Sequence, residues 1–358
     1  MPHTISEIAD ATGLRAEGDL SLAIARPAEP GFAGADDLAL AMDQKYAADL
    51  AASPARAAMV WEGADWQSMG LEAVLFAPRP KLGLAAVGDV FEYPLDLEPG
   101  IHPSAIIHPT AEIGADCWIG PFAQIGPGVI LGEGARLMGQ CYIGAGATIG
   151  PGAVLHPGVR IGPRVSAGAN LFVQYNAVIG GEGFSYLTPE KSSVEVAKET
   201  GATQIKTENR GLKRINSLGS VRLGDDVEIG AATTIDRGTI SDTVVGDGSK
   251  IDNQVMLGHN CVIGRMCMLC AQVGLAGSVR VGDRVVLGGQ VGCADHCDIG
   301  SDVIVGGGSL IGSNIKPGQV MMGIPVLPRH KFFEQQMAIR RLPRVAAQLT
   351  EIRKKLGL

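Results

Sequence analysis

From Ile101 onward an aliphatic residue recurs every six positions without a slip, through Ile107, Ile113, Ile119, Ile125, Leu131, Leu137, Ile143, Ile149, Leu155 and Ile161 to Ala167, Val173 and Ile179. Glycine most often follows it, and a small or β-branched residue stands four places on, as at Ala105, Ala111, Cys117, Ala123 and Val129. Neither a helical nor a simple strand period produces a six-residue repeat of this length. A unit of the form aliphatic-Gly-x-x-small-x is a short strand plus a turn. Three such units close a triangular coil, and coils stack at strand spacing, roughly 4.8 Å each. The glycine is expected to serve the turn, and the small residue to fit where the triangle is tightest. The fold class is therefore mainly β, a parallel β-helix.

Composition agrees with stacked repeats. With 50 glycines and only 4% aromatic residues, the core has to be filled by small branched side chains rather than large anchors. Glycine without a three-residue period is not collagen. The repeat pauses at Gly180-Gly181-Glu182-Gly183-Phe184 and resumes at Leu223, so residues 181–220 read as a polar excursion from the solenoid. A four-residue insertion follows around Thr239 to Asp242, and a clean register then runs from Val245 to Ile311 before Pro317. Residues 1–100 lack the repeat. Ser6 to Asp10 suggests a capped helix start, and Ala73-Val74-Leu75-Phe76 a buried strand, so this part reads as a small α/β domain. The solenoid occupies 101–324. The tail, 325–358, reads as helix from Lys331 to Leu356 with a break at Pro343.

A net charge of −7 argues against nucleic acid as a partner, although Pro328 to Leu358 alone carry eight basic residues against two acidic ones. No apolar run approaches a membrane span and no export signal is visible at the N-terminus, so a cytoplasmic location is expected. Cys117, Cys141, Cys261, Cys267 and Cys297 fall at the small inward position and Cys293 at the large one. They read as reduced core residues rather than metal ligands; only Cys270 falls elsewhere. His102, His108 and His156 precede prolines at corners and read as exposed.

His259 differs from these. It stands at the third position of its unit, pointing outward from a flat face, with Gly277 one coil further and His296 one residue past the next coil. A basic ring, a stretch of backbone without a side chain and a second imidazole in one column suit general-base catalysis beside an oxyanion site; two ordinary surface histidines are the alternative. Asp252, seven residues earlier, is a carboxylate able to orient an imidazole. An open solenoid face needs a neighbouring subunit to make a pocket, so a cyclic trimer is expected.

Val221 to Gly230, Thr234-Ile235-Asp236-Arg237-Gly238, Ile251-Asp252-Asn253-Gln254, Gly258-His259-Asn260, Ala276-Gly277-Ser278 and Gly323-Ile324-Pro325 together closely resemble the UDP-3-O-acyl-glucosamine N-acyltransferases of lipid A biosynthesis, hexapeptide-repeat enzymes. The resemblance implies a left-handed solenoid, an N-terminal uridine-binding domain and a helical tail. It implies transfer of a (3R)-3-hydroxyacyl group from acyl carrier protein to the 2-amine of UDP-3-O-acyl-glucosamine in the cytoplasm of a Gram-negative bacterium. It makes His259 the base, Asp252 its orienting partner, the Gly277 N–H the oxyanion donor and His296 a supporting group. No metal or bound cofactor is implied beyond the phosphopantetheine of the carrier protein. Asn253 is expected at the substrate.

Asp37 to Tyr46 resembles the uracil-contacting segment: Tyr46 matches, while Leu40 and Asp43 stand where Phe and Asn are usual, losing stacking area and a hydrogen-bond donor. Leu310 and Gly312 lie where the family bounds its acyl groove, and the missing side chain at Gly312 predicts tolerance of a long chain. Arg340, Arg341 and Arg344 are placed to steer an acidic carrier protein. The competing readings are an O-acyltransferase acting on UDP-N-acetylglucosamine, which begins directly with the solenoid; a zinc hydratase, which needs a third histidine in the column; and a scaffold without catalysis.

Overall fold

The computed structural model describes residues 2–93, 95, 97–201, 203–204, 211–323 and 327–357, which form two compact units, Met1–Asp96 and Leu97–Leu358. Lys206 to Arg210 of the excursion, and the Ile324-Pro325 junction between solenoid and tail, lie outside the described residues.

In the first unit a five-stranded sheet runs in the order Arg15–Gly18, Ala73–Phe76, Ala57–Val60, Asp37–Ala41, Arg26–Ala28. Only the first pair is antiparallel. Strands 57–60 and 73–76 are buried on both faces, which is why they read as continuous apolar runs. One face packs on helices α1 (Ile5–Thr12) and α3 (Pro80–Val90) through Ile5, Ile8 and Val87; the other packs on α2 (Ala47–Ala52) through Leu50. The α1 cap is Thr4, two residues before the expected start, in a capping box with Glu7, and Gly13 closes the helix in the left-handed conformation.

In the second unit the solenoid strands pair in parallel, each with the strand three repeat units further on. Among the described residues this makes three faces: eleven strands beginning at Gly100–Ile101, ten beginning at Ile106–Ile107 and nine beginning at Glu112–Ile113. The aliphatic and small positions form one continuous core from Cys117 to Ile315, including all six cysteines assigned to it. Each fully buried aliphatic side chain stabilises this core by about 1.5–3 kcal/mol.

The glycine after each aliphatic residue serves a different purpose from the one expected. The left-handed residues are two places later, at Asp116, Phe122, Gln140, Asn176 and Asn260 among others. The glycine itself lies under the next coil: a Cβ at Gly120 would come within 2.4 Å of the Met138 carbonyl oxygen, and one at Gly132 within 2.4 Å of Pro151 N. Close stacking requires glycine there, not turn geometry.

The excursion has structure of its own. Tyr186–Leu187 pairs antiparallel with Lys213–Arg214, and helix α4 (Ser193–Thr200) starts from a Ser192–Glu195 capping box. His156 is half-buried rather than exposed, its ring against Phe172 and Tyr175, and its Nδ1 buried without a partner. Burial lowers its pKa. The tail is one helix, α5 (Arg329–Lys355), which runs through Pro343 without a break. Proline there removes a single backbone donor from a 27-residue helix, too little to end it.

Candidate active site

Strand register places the column as anticipated. Met256–Leu257 pairs with Gly274–Leu275, so Gly277 lies above His259, and the His296 N–H donates to the Gly277 carbonyl at 3.2 Å. His259 does not project from a flat face, however. It opens the turn at the corner between the second and third faces. Its ring covers Gly277: a Cβ there would lie 2.7 Å from Cε1 and 2.8 Å from Nε2. On the other side Gly183 touches it, since a Cβ at 183 would come within 2.8 Å of the His259 Cβ. The first turn of the excursion, held by the Gly183 N–H donating to Ser217 Oγ at 3.1 Å, therefore packs on the imidazole.

Nδ1 of His259 lies 3.0 Å from Asn260 Oδ1. The orientation of that amide is set independently, because Oδ1 accepts from the Thr239 N–H at 3.0 Å and Nδ2 donates to the Ser241 carbonyl at 2.8 Å. An acceptor facing Nδ1 puts the proton on Nδ1 and leaves the lone pair on Nε2, beside Gly277. Thr239 and Ser241 belong to the four-residue insertion, so the insertion sets the tautomer.

Asp252 does not pair with His259 inside the chain. It lies at the corner between the first and second faces, one corner before His259, and its Oδ1 accepts from the Asn253 N–H at 2.7 Å. Six residues carry a solenoid chain to its next corner, so a seven-residue spacing separates the two side chains. The carboxylate near His259 is that of Asp236, a residue for which sequence reading had no role. The pairing of Ile235 with Leu257 sets Asp236 below Gly258, one coil under the imidazole. Burial pushes its carboxyl above the ordinary carboxylate range, and the His259 charge and the Phe184 backbone amide act in the opposite sense. The spacing contained the signal: across the insertion one coil is 22 residues rather than 18, as from Asp236 to Gly258.

The Gly277 N–H has no hydrogen-bond partner among the described residues, whereas the equivalent amides of Ala231 and Arg265 are capped by Asn253 Oδ1 (2.6 Å) and Asp283 Oδ1 (2.8 Å) from the coil above. An uncapped amide beside a directed imidazole lone pair can receive a developing oxyanion. His296 lies exposed at the left-handed turn position, φ 58°. Asp252 and Asn253 instead line a concave site of about 570 Å³ on the first face with Phe172, Gln174, Lys250 and Cys270.

The second face carries a groove. Its outward side chains in successive coils are Met256, Gly274, Gly292 and Leu310, so two coils are bare and Leu310, 87% exposed, leans over Gly292. Gly312 stands two residues past Leu310, and a Cβ there would meet open space, as it would at Gly274. In the first unit Leu40 and Tyr46 come together in a pocket of about 460 Å³ with Pro30, Phe32 and Asp49. Asp43 caps the short turn before Tyr46, its Oδ1 accepting from the Lys45 N–H at 3.0 Å. Arg340, Arg341 and Arg344 are exposed on α5.

Comparison with known proteins gives a family. A Ruegeria pomeroyi protein named UDP-3-O-acylglucosamine N-acyltransferase is 49% identical over 357 residues, covering 100% of this chain and 98% of its own. The chain belongs to that family. Proteins of the same name from Pseudomonas aeruginosa (36% identical, covering 100% of this chain and 96% of theirs) and Paracoccus denitrificans (46% identical, 78% and 76%) agree. The bacterial transferase hexapeptide (six repeats) model matches residues 110–145. A solved Arabidopsis UDP-N-acetylglucosamine acyltransferase is 26% identical with a TM-score of 0.51, over 63% of this chain and 71% of its own. The solenoid is a left-handed parallel β-helix.

Proposed function

We propose that this chain transfers a (3R)-3-hydroxyacyl group from acyl carrier protein to the 2-amine of UDP-3-O-(3-hydroxyacyl)-glucosamine, a step of lipid A biosynthesis. The observation that carries the reading is the His259–Gly277 pair, a directed Nε2 lone pair beside an uncapped N–H. The amine nitrogen attacks the thioester carbonyl carbon, forming the C–N bond, while Nε2 takes a proton from nitrogen. The carbonyl oxygen becomes an oxyanion facing the Gly277 N–H. Collapse breaks the C–S bond, and the departing phosphopantetheine thiolate takes the proton from His259. His296 lines the same column. The thioester is already activated, so the mechanism needs neither metal nor resident cofactor.

The bare groove from Met256 to Leu310 suits the acyl chain, with Leu310 and the bare Gly312 at its far end. The Leu40–Tyr46 pocket suits the uracil ring. Asp43 Oδ1 is committed to its own turn, and Asn253 Oδ1 to the Ala231 N–H.

Two features support a homotrimer. The catalytic corner and the Asp252–Asn253 concavity occupy different corners of one prism, and a cyclic neighbour brings one against the other. Along α5, Leu342, Val345, Leu349, Ile352 and Leu356 recur at spacings of three and four, all exposed in the single chain, as a coiled-coil seam requires. Arg340, Arg341 and Arg344 would then surround the tail and attract acidic carrier protein. No described helix is long and apolar enough to cross a membrane, and the reading places the enzyme in the cytoplasm.

The deciding experiment supplies purified protein with 3-hydroxyacyl carrier protein and either UDP-3-O-acyl-glucosamine or UDP-N-acetylglucosamine, with products identified by mass spectrometry. An amide formed on the first acceptor is expected. An ester on the second, with no amide on the first, would establish the O-acyltransferase reading instead.

A further inference from the structure

We propose that Asp236 is the positioning carboxylate of this site, a charge within the same chain that supports the His259 imidazolium as it forms; the inference rests on the acyl-transfer reading above. Three observations carry it. The strand register sets Asp236 beside Gly258, one coil below His259, because the four-residue insertion lengthens that coil. The foot of the excursion covers both residues: Gly181 pairs with Asp236, a Cβ at 181 would lie 4.0 Å from Asp236 Oδ1, and Gly183 rests on the imidazole. Finally, Nδ1 of His259 is already satisfied by the neutral Asn260, which fixes the tautomer but supplies no countercharge.

The titratable groups around the ring can be named. Asp236 lies below it. The Cys261 thiol in the core behind is pushed up to about 11 by burial, so it stays neutral. Glu182 approaches from the excursion, its Oε2 accepting from the Ser217 N–H at 3.4 Å. Asp295 and His296 lie in the coil beyond Gly277. Arg237, although adjacent in sequence, is directed away to the Pro163 carbonyl. Asp236 is the half-buried carboxylate of this set, and a charge removed from water acts more strongly on its neighbour than an exposed one. Its ionised form stabilises the imidazolium that forms when Nε2 takes a proton.

The test uses full-length protein with Asp236→Asn, which keeps shape and an acceptor oxygen but removes the charge, beside Asp236→Glu, which restores it. The acid limb of kcat/KM is expected to move down by about one pH unit in Asp236→Asn, with kcat about tenfold lower and KM for the nucleotide acceptor unchanged. Asp236→Glu should return the limb toward its original position. Independently of turnover, the His259 Cε1 resonance, assigned by its loss in His259→Gln, should titrate about one pH unit lower in Asp236→Asn than in wild type. An unchanged titration in a folded Asp236→Asn protein overturns the proposal. Wild-type protein that makes no amide, yet shows the shifted titration, would reject the acyl-transfer reading and leave the Asp236–His259 coupling standing.

Discussion

The lower coils, from Ile101 to Ile179, and the upper coils, from Val221 to Ile311, are built on the same six-residue rule, yet their interruptions differ. The lower coils keep a step of 18 residues throughout, and two of their corner histidines bond locally, His102 Nδ1 to Ser104 Oγ at 2.8 Å and His108 Nδ1 to Thr110 Oγ1 at 2.9 Å. The upper coils follow two departures, the excursion and the four-residue insertion, and both end on His259: one through Gly183, the other through Thr239, Ser241 and Asn260. A regular solenoid repeats the same environment at each corner. Making one corner chemically different requires breaking the repeat beside it.

The comparison is broken most severely at the imidazole. His259→Ala should reduce kcat/KM by about a thousandfold, the usual weight of a general base, with the melting temperature preserved. His108→Ala, a corner histidine of the lower coils, should leave turnover unchanged. Equal losses in the two variants would mean that corner position, not the broken repeat, decides function. Glycine gives the next largest contrast. A Cβ at Gly277 meets only the His259 ring among its nearest atoms, so Gly277→Ala should lower kcat about a hundredfold in a stable protein. A Cβ at Gly120 meets backbone at 2.4 Å, so Gly120→Ala should lower the melting temperature while its folded fraction works normally. Thermal melts and turnover on the same samples separate the two effects.

Much of this arrangement was legible in the sequence because the repeat is a ruler. Counting sixes located the core, the inward cysteines and the His259–Gly277–His296 column. The same counting failed in three informative places. It gave glycine a turn role, because turn and stacking glycines look alike until the coil above is present. It sent His259 to a flat face, because the corner is set by the left-handed residue that follows, here Asn260. It missed Asp236, the carboxylate of the same chain near His259, because that residue is brought in by pairing across an insertion; the link from Asp252 to His259 came from the resemblance, with the two at different corners. The first unit was less legible still: it has no period, and the Leu40–Tyr46 pocket depends on contacts between segments.

Asn260 offers a smaller and finer test of the same idea. Asn260→Ala removes the acceptor facing Nδ1 and frees the Thr239 N–H, so the imidazole can hold its proton on either nitrogen. The Nε2-protonated tautomer cannot act as base, so a roughly tenfold fall in kcat is expected, with the acid limb of the pH profile little changed because no charge has been removed. That pattern separates Asn260 from Asp236, whose substitution should move the limb. If both variants move it equally, tautomer and charge are not set separately, and the insertion has only one function at this corner.

The smallest effect concerns the cysteines of the upper coils. Burial raises the Cys261 thiol to about 11 and the Cys293 thiol to about 12, and both lie within the core. The thiolate is the reactive form, so at pH 8 these two should resist alkylation in the native protein and react only on unfolding. Cys270 is partly exposed beside the Asp252–Asn253 concavity and should be modified first. Because that concavity is proposed to close against a neighbouring copy, its modification should slow as protein concentration drives assembly, while Cys261 and Cys293 stay protected at every concentration. Rapid labelling of Cys261 in folded protein would show that the coil carrying His259 opens, and that the broken repeat costs the upper coils stability as well as giving them a site.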